Sequence, residues 1–403
     1  VTNASPRDLA RWQIAHDRAR CASAPWLIAQ KAARMRDSPL AFLRGAAPLH
    51  YELLARDPWL REGPAGDGWI VGDLHVENFG AYRATPAGAR ADAVVFDLND
   101  FDEAAPAPWR FELARGVASV LLGARGRGLT GVAAIELAGV FLDAWRAQAF
   151  DGGAPVSGSE AVARLVARVE KRTRAQLLDD RTEVARGGRR FVRGPRYRDL
   201  DAHAARGLAE AFARYAAALG GRDTPARDAL TVEDVAFRVA GTGSLGALRV
   251  AVLTRGKGGP DGHWVFDMKE QAEPALAALA GPCAVHGARR VVAAMEACLA
   301  ARPLQVGVTD FDGRSLLVRR LAPQEDKLDL ARVEPAHLHG LARHLGALTG
   351  RAHRRGATSL AAAWSRADLD AVLDRAVAVA SAFEGAWLAW CLALRSEGEP
   401  ATT

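Results

Sequence analysis

The chain has 403 residues, 49% of them hydrophobic and 25% charged, proportions of an ordinary globular protein that exclude a disordered, collagen-like or coiled-coil chain. At roughly 150 residues per domain, one large domain or two smaller ones fit that length. The net charge of +6 suits an anionic ligand or a nucleic acid, or reflects only an arginine-rich composition. No uncharged apolar run reaches the ~18 residues of a membrane span, because the stretch 385–394 follows Glu384 and stops at Arg395. A membrane protein is therefore not expected. The first residues carry no apolar segment of the signal-peptide kind, and a cytoplasmic protein is expected. Cys21, Cys283, Cys298 and Cys391 lie far apart with no C-x-x-C pair, so they read as buried thiols rather than a zinc site or a disulfide framework.

In chain order, residues 7–60 have apolar positions at helical spacing through Trp12, Ile14 and Leu27, then Leu40, Leu43 and Leu49. Ser38-Pro39 marks a helix start. A short strand at 69–71 enters Gly72-Asp73-Leu74-His75-Val76-Glu77-Asn78-Phe79-Gly80, and a second at 93–96 runs into Asp97-Leu98-Asn99-Asp100-Phe101-Asp102-Glu103. Helical patterns follow at 111–122 and 132–149, then a loop of small residues at 152–159. Most of the excess positive charge lies in 164–198, where Gly187-Gly188 suggests a hairpin turn. Strands at 235–239, 248–253 and 264–269, separated by glycine-rich turns, predict an antiparallel meander. A helix at 288–300, strands at 305–308 and 315–319, and further helices complete the chain. The pattern is α+β in four segments: a helical half-lobe at 1–150, a basic segment at 151–230, an antiparallel sheet lobe at 231–325 and closing helices at 326–403.

Three groups of residues could carry chemistry. Asp73 and Asn78 on one tight loop, with Asp97 ending a nearby strand, can hold a hydroxyl nucleophile and a Mg²⁺ ion together; otherwise they merely cap turns. Gly241-Thr242-Gly243-Ser244-Leu245-Gly246 is a G-x-G-x-x-G, but a strand rather than a helix follows it, which argues against a dinucleotide-binding fold. There is no G-K-[ST] either, so the glycines suit a flap whose amides lie over a triphosphate. Lys269 ends the strand after that flap and, if buried, needs an anion; otherwise it is an exposed edge-strand lysine. Arg44 reads as an exposed helix arginine or an additional phosphate contact. His337, His339, His344 and His353 form no H-E-x-x-H pattern and read as surface residues, while Trp364, Trp387 and Trp390 read as core.

The loop from Gly72 to Asn78 resembles the catalytic loop of aminoglycoside and choline phosphotransferases, and Val94-Val95-Phe96-Asp97 resembles their metal-binding strand end. The glycines of 241–246 with Lys269 resemble the kinase small lobe. Phe42-Leu43-Arg44-Gly45, Gly72-Asp73, Asn78-Phe79-Gly80 and the string from Phe96 to Glu103 together resemble the bacterial family called domain of unknown function 2252. These resemblances imply a protein-kinase-like two-lobe fold and an ATP- and Mg-dependent phosphotransferase. Asp73 would orient or deprotonate the acceptor hydroxyl. Asn78 and Asp97 would hold Mg²⁺, with Asp100 and Asp102 as alternates. Gly241, Thr242, Gly243, Ser244 and Gly246 would cover the phosphates, and Lys269 would reach them. Glu112 would support the catalytic loop, and Glu296, or the nearer Glu270 or Glu273, would pair the lysine.

The glycine flap comes after the catalytic loop, the reverse of the usual kinase order, which implies a circular permutation with the helix 336–355 leading back towards that loop. No Ala-Pro-Glu segment or long activation loop follows Asp97, so a small-molecule hydroxyl acceptor is expected, and the basic stretch 164–198 suits an anionic one. Val71 stands where many kinases have histidine, and Asp267 where they have a small residue; the unassigned glutamate partner of Lys269 leaves AMP transfer open beside phosphate transfer. The alternative is a noncatalytic nucleotide sensor, or a nucleic-acid binder using the arginines. With only Phe191 and Tyr197 interleaved there, a stacking platform for single strands is poorly supported.

Overall fold

A computed structural model describes residues 4–86, 92–152, 158–185, 188–220, 225–243, 245–259, 261–359 and 361–396. Ser5 and Ser38, each followed by proline, accept the backbone N–H of Asp8 and of Ala41 and so open two helices. The first half of the chain runs α1 (Pro6–Arg20), α2 (Trp26–Arg36), α3 (Pro39–Gly45), α4 (Ala47–Arg56), β1 (Asp67–Ile70), β2 (Phe79–Ala84), β3 (Ala93–Leu98), β4 (Ala105–Pro108), α5 (Trp109–Gly126) and α6 (Gly131–Arg146). The basic segment holds α7 (Glu160–Glu170), α8 (Arg174–Asp179), β5 (Thr182–Ala185), β6 (Gly188–Phe191), β7 (Tyr197–Arg198) and α9 (Ala202–Ala218). Then come β8 (Val232–Arg238), β9 (Arg249–Thr254), β10 (Trp264–Glu270), α10 (Ala277–Ala280), α11 (Gly287–Cys298), β11 (Gly307–Phe311), β12 (Arg314–Leu321), β13 (Asp326–Lys327), α12 (Leu338–Arg355) and α13 (Arg366–Ser396).

The fold is mixed α+β with antiparallel sheets. The largest sheet has the order β11-β12-β10-β9-β8-β7. Within it β8, β9 and β10 form the antiparallel meander that their spacing predicts; beyond them α11 carries the chain past β10, so β12 pairs with β10 and β11 lies outside it. Alternation along the strands separates two faces. Val250, Val252, Phe266, Met268, Leu316 and Val318 pack under α9 through Leu208, Phe212 and Tyr215. On the other face Ala251, Leu253, Val265 and Leu321 meet Leu178, Phe191 and Tyr197 of the basic segment. Arg249, Asp267, Lys269 and Arg319 continue that second face, in the register Lys269 opposite Arg249 and Asp267 opposite Arg319. The hairpin β5–β6 forms as expected, although Gly187 of its turn lies outside the described residues.

The helical core joins both ends of the chain: α12 packs on α6, and α13 on α5 and α1. Trp145, Trp364 and Trp390 are buried there, and Trp387 packs partly against them. Among the described residues, one helix is long and apolar enough to cross a membrane: 366–395, with a mean hydropathy of 1.6 over its best window, of which 39% is buried. The sequence expectation counted only uncharged runs and missed it, because the window tolerates Glu384. The cysteines are all free, but only Cys21 and Cys298 are buried, while Cys283 and Cys391 are half-buried.

Candidate active site

One face of α5 grips the loop that follows β1. Glu112 accepts the backbone N–H of Val71 on both carboxylate oxygens at 3.0 Å, Arg115 reaches Asp73, and the Ser119 hydroxyl accepts from the N–H of Val76 at 3.0 Å. These three are spaced three and four residues apart, so they share one face of the helix. The turn itself needs glycine: Gly72 has φ +79°, and a Cβ there would overlap the Glu103 carbonyl. Its own carbonyl accepts from the Tyr51 hydroxyl at 2.6 Å.

Asp73 therefore meets a fixed guanidinium. Arg115 Nε donates to it at 2.8 Å, and the arginine is wholly buried while the Asp73 side chain is 21% exposed. Burial raises the carboxyl pKa, Arg115 opposes it, and burial wins, leaving Asp73 at about 6. His75 shares the cleft; burial and then Arg44 push its pKa well below the ordinary histidine value, so it is neutral. Asn78 Nδ2 donates to the carbonyls of Asp73 at 2.9 Å and Asp100 at 3.2 Å, tying the two acidic loops together.

The second loop, from Asn99 to Glu103, is held against the large sheet. Lys269 on β10 makes an ion pair with Asp102, to which Gln271 also donates at 2.9 Å. Lys327 on β13 pairs with Asp100 at 2.9 Å. Arg290, buried on α11, donates to the carbonyls of Asp102 and Ala272 at 2.7 and 3.0 Å, and also to Ala104. Burial lowers the Lys269 pKa to about 8, with Asp100 opposing. Burial alone would raise Asp100, but Lys327 and Lys269 outweigh it and hold that carboxylate below the usual range.

Between these loops and the sheet lies a cleft of about 960 Å³ lined by Asp73, Asp100, Asp102, Gly241, Gly243 and Lys269 among others. Glycine turn, lysine and acidic loops thus come from distant parts of the chain to one concavity of the size of a small-molecule site. The family model described as "Uncharacterized protein conserved in bacteria (DUF2252)" matches residues 23–393. The chain belongs to the DUF2252 family. No curated protein and no solved structure matches it.

Several residues of the DUF2252 chain lie elsewhere than the sequence suggests. Asp97 does not line the cleft; it caps the N–H of Leu98 at 2.9 Å on the side of β3 facing Arg351 and Arg355 of α12, where burial raises its pKa to about 6. Glu296 is exposed on α11 and pairs with Arg302 at 3.8 Å, so Asp102 and not a glutamate neutralises Lys269. Glu270 instead accepts the N–H of Leu248 at 2.8 Å, and Glu273 pairs with His286. Glu112 is buried beneath the loop, outside the cleft. Thr242 lines the cleft with Gly241 and Gly243, but Gly246 packs against the Arg20 carbonyl at the end of α1. Ser244 lies outside the described residues. Arg44 is no exposed helix arginine: it lines the cleft and pairs with Glu77.

His353, expected at the surface, is buried; its Nδ1 accepts from Trp145 Nε1 at 3.0 Å, and its Nε2 donates to Glu112 at 3.0 Å. Sequence reasoning missed Arg115, Lys327, Arg290 and this histidine. The one signal for Arg115 was its place one helical turn after Glu112. Among the described residues no three His, Cys, Asp or Glu side chains gather to hold a metal. Asn78 Oδ1 and Asn99 Oδ1 are nevertheless buried without a hydrogen-bond donor, near Asp100. Amide and carboxylate oxygens are the donors a hard cation takes, so the chemistry of this set fits Mg²⁺.

Proposed function

We propose that this protein is an ATP- and Mg-dependent phosphotransferase acting on a small-molecule hydroxyl acceptor, with a kinase-like two-lobe arrangement whose motifs run in permuted order. The observation that carries the reading is the convergence of Asp73, Lys269 and the Gly241 turn on one cleft. The local order within the sheet lobe supports it. A glycine turn joins β8 to β9, the lysine stands on the next strand, β10, and the helix α11 follows, as in kinases, where a glycine loop covers the phosphates and a third-strand lysine contacts them. The departure is the carboxylate partner of the lysine, which comes from the acidic loop.

In this reading Asp73, largely ionised at neutral pH, accepts the proton of the acceptor hydroxyl, and Arg115 fixes the carboxylate that does so. His75, being neutral, adds no charge beside it. Lys269 and the backbone around Gly241 and Gly243 hold the phosphates of ATP. Asn78 and Asp100 would hold Mg²⁺, with Asp102 released from Lys269 as the alternate. When bound, the ion supplies neutralisation of the charge on the transferred phosphoryl group.

The basic stretch gives the nucleic-acid alternative little support, because its arginines are largely spent within the chain. Arg164 pairs with Glu160 and Glu334, Arg172 with Asp326, Arg190 with Glu183, Arg193 with Asp199 and Asp234, and Arg196 with Asp180. The deciding experiment is thermal unfolding with ATP, with and without Mg²⁺, on the parent and on Lys269→Met. A Mg²⁺-dependent stabilisation, ~2.7 kcal/mol at about 100 times Kd, is expected in the parent and absent in the variant. No stabilisation of the parent by any nucleotide would overturn the proposal. ATP labelled at the γ or the α phosphate then separates phosphate from AMP transfer.

A further inference from the structure

The cleft continues beyond Lys269 along the same sheet face. Arg249 on β9 stands directly opposite Lys269, and two residues on, or ~7 Å along the strand, the next row presents Asp267 of β10 opposite Arg319 of β12. Arg238 from the end of β8 and Arg181 from the basic segment join them in lining the cavity. Four guanidinium groups thus meet on one wall. Asp267 accepts from Arg238 at 2.6 Å and from Arg249 at 2.6 Å, and Glu325 stands 3.4 Å from Arg319. Asp180, 3.9 Å from Arg181, accepts from Arg196 at 2.6 Å.

Positive charge therefore exceeds negative on this wall, and not all of its donors are used. Arg181 Nε and Nη1 and Arg238 Nε are buried without an acceptor. Burial, and after it the nearness of Arg249 and Arg181, lowers the pKa of Arg238 even against Asp267. Unpaired guanidinium N–H groups in a concave site are costly unless an anion meets them. Their planar forks match the several oxygens of a phosphate.

We infer that Arg181, Arg238, Arg249 and Arg319 form an anion subsite, starting at Arg249 beside Lys269 and running one step along the sheet to Arg319, that binds the phosphate group of a phosphate ester. The inference deepens the phosphotransferase reading, on which it rests only in naming that ester as the acceptor: the molecule that receives the phosphoryl group already carries one phosphate, held by the arginine wall while its free hydroxyl faces Asp73.

Calorimetric titration of the full chain with glycerol phosphate and with inorganic phosphate, without nucleotide or magnesium, tests the subsite. Both anions are expected to bind, the ester more tightly, with affinity unchanged in Lys269→Met. Arg181→Gln and Arg319→Gln are each expected to weaken binding about tenfold or more. Arg181 makes no close ion pair, so Arg181→Gln keeps the fold, and its unfolding midpoint matches that of the parent. Loss of phosphate binding in Lys269→Met with both arginine variants unaffected would place the anion at the lysine and overturn the subsite. So would failure of the parent to bind either anion. Phosphate binding that survives in a protein which does not bind ATP with Mg²⁺ would refute the phosphotransferase reading and leave the subsite standing.

Discussion

At Asp73 burial and a buried arginine act in opposite directions, and the outcome near 6 has consequences in two experiments. For catalysis, kcat/KM is expected to fall as pH drops below about 6, where the carboxylate takes up its proton. Arg115→Gln removes the opposing charge, so the acid limb of the profile moves to higher pH; a limb that stays in place would show that Arg115 does not tune Asp73. For stability the sign follows from proton uptake. A folded-state pKa raised above the ordinary 3.8 means that the folded protein binds more protons between those values. Its contribution is fully present below the ordinary value and is lost as pH rises through about 6. Asp73→Asn is expected to reduce turnover by about 10²–10⁴-fold while leaving nucleotide stabilisation intact. Lys269 works in the alkaline direction: with burial lowering it to about 8, ATP affinity should weaken as pH rises through that value, read by titration on either side of it.

At the scale of elements, the glycine flap is not free-standing. Leu245 sits with Cys21, Leu27 and Val239 in a small apolar cluster, Arg34 donates to the Gly241 carbonyl, and Gly246 at φ +99° lies against the Arg20 carbonyl. The ends of α1 and α2 thus dock the flap over the cleft. Gly246→Ala adds a Cβ where backbone stands and forces a left-handed conformation on alanine, so a loss of about 1–3 kcal/mol is expected in urea unfolding. Unchanged stability would remove the docking account. A second element-level device is the chain of buried contacts from Trp145 through His353 to Glu112 and the N–H of Val71. It joins α6, α12 and α5 to the loop that follows β1, with His353 also stacked on Trp109 at 5.4 Å. His353→Ala leaves the Trp145 donor unpaired and Glu112 short of one donor, so about 2–5 kcal/mol of destabilisation is expected by chemical denaturation.

Over the whole molecule, the net charge of +6 misleads if it is read as a nucleic-acid footprint. Pairing with Asp234, Asp326 and Glu334 ties the basic segment to β8, to β13 and to the stretch leading into α12. Exposed pairs of this kind contribute little stability each, but they leave few free cations for a phosphate backbone. The chain is therefore expected to elute from immobilised duplex DNA at or below about 0.15 M salt. Retention above that, with a steep salt dependence near −0.9 per phosphate contact, would revive the alternative. The same scale explains the cleft: Lys269 to Asp102 and Arg290 to the Asp102 carbonyl bind the large sheet and α11 to the acidic loop, and Lys327 of β13 binds Asp100, all between residues distant in the chain.

Local pattern was enough for the elements that announce themselves. The Ser38-Pro39 start, helical spacing in α5, α6 and α12, and glycine-bounded apolar runs in β8, β9 and β10 are readable because capping, periodicity and turn chemistry act within a few residues. So were Asp73, Asn78, the Gly241 turn and Lys269, each carried by a motif. β2, whose residues are nearly all buried, shows no alternation to read, and the neighbours of β12 follow from a crossover rather than from spacing. Asp97 and Asp102 could not be told apart along the chain, since both end or follow one strand. Only the tertiary packing turns Asp97 towards α12 and Asp102 towards Lys269. Burial and charge pairing are properties of the assembled fold. They alone decide that Asp73 titrates near 6, that His353 is core, and that Arg238, Arg249 and Arg319 share one wall.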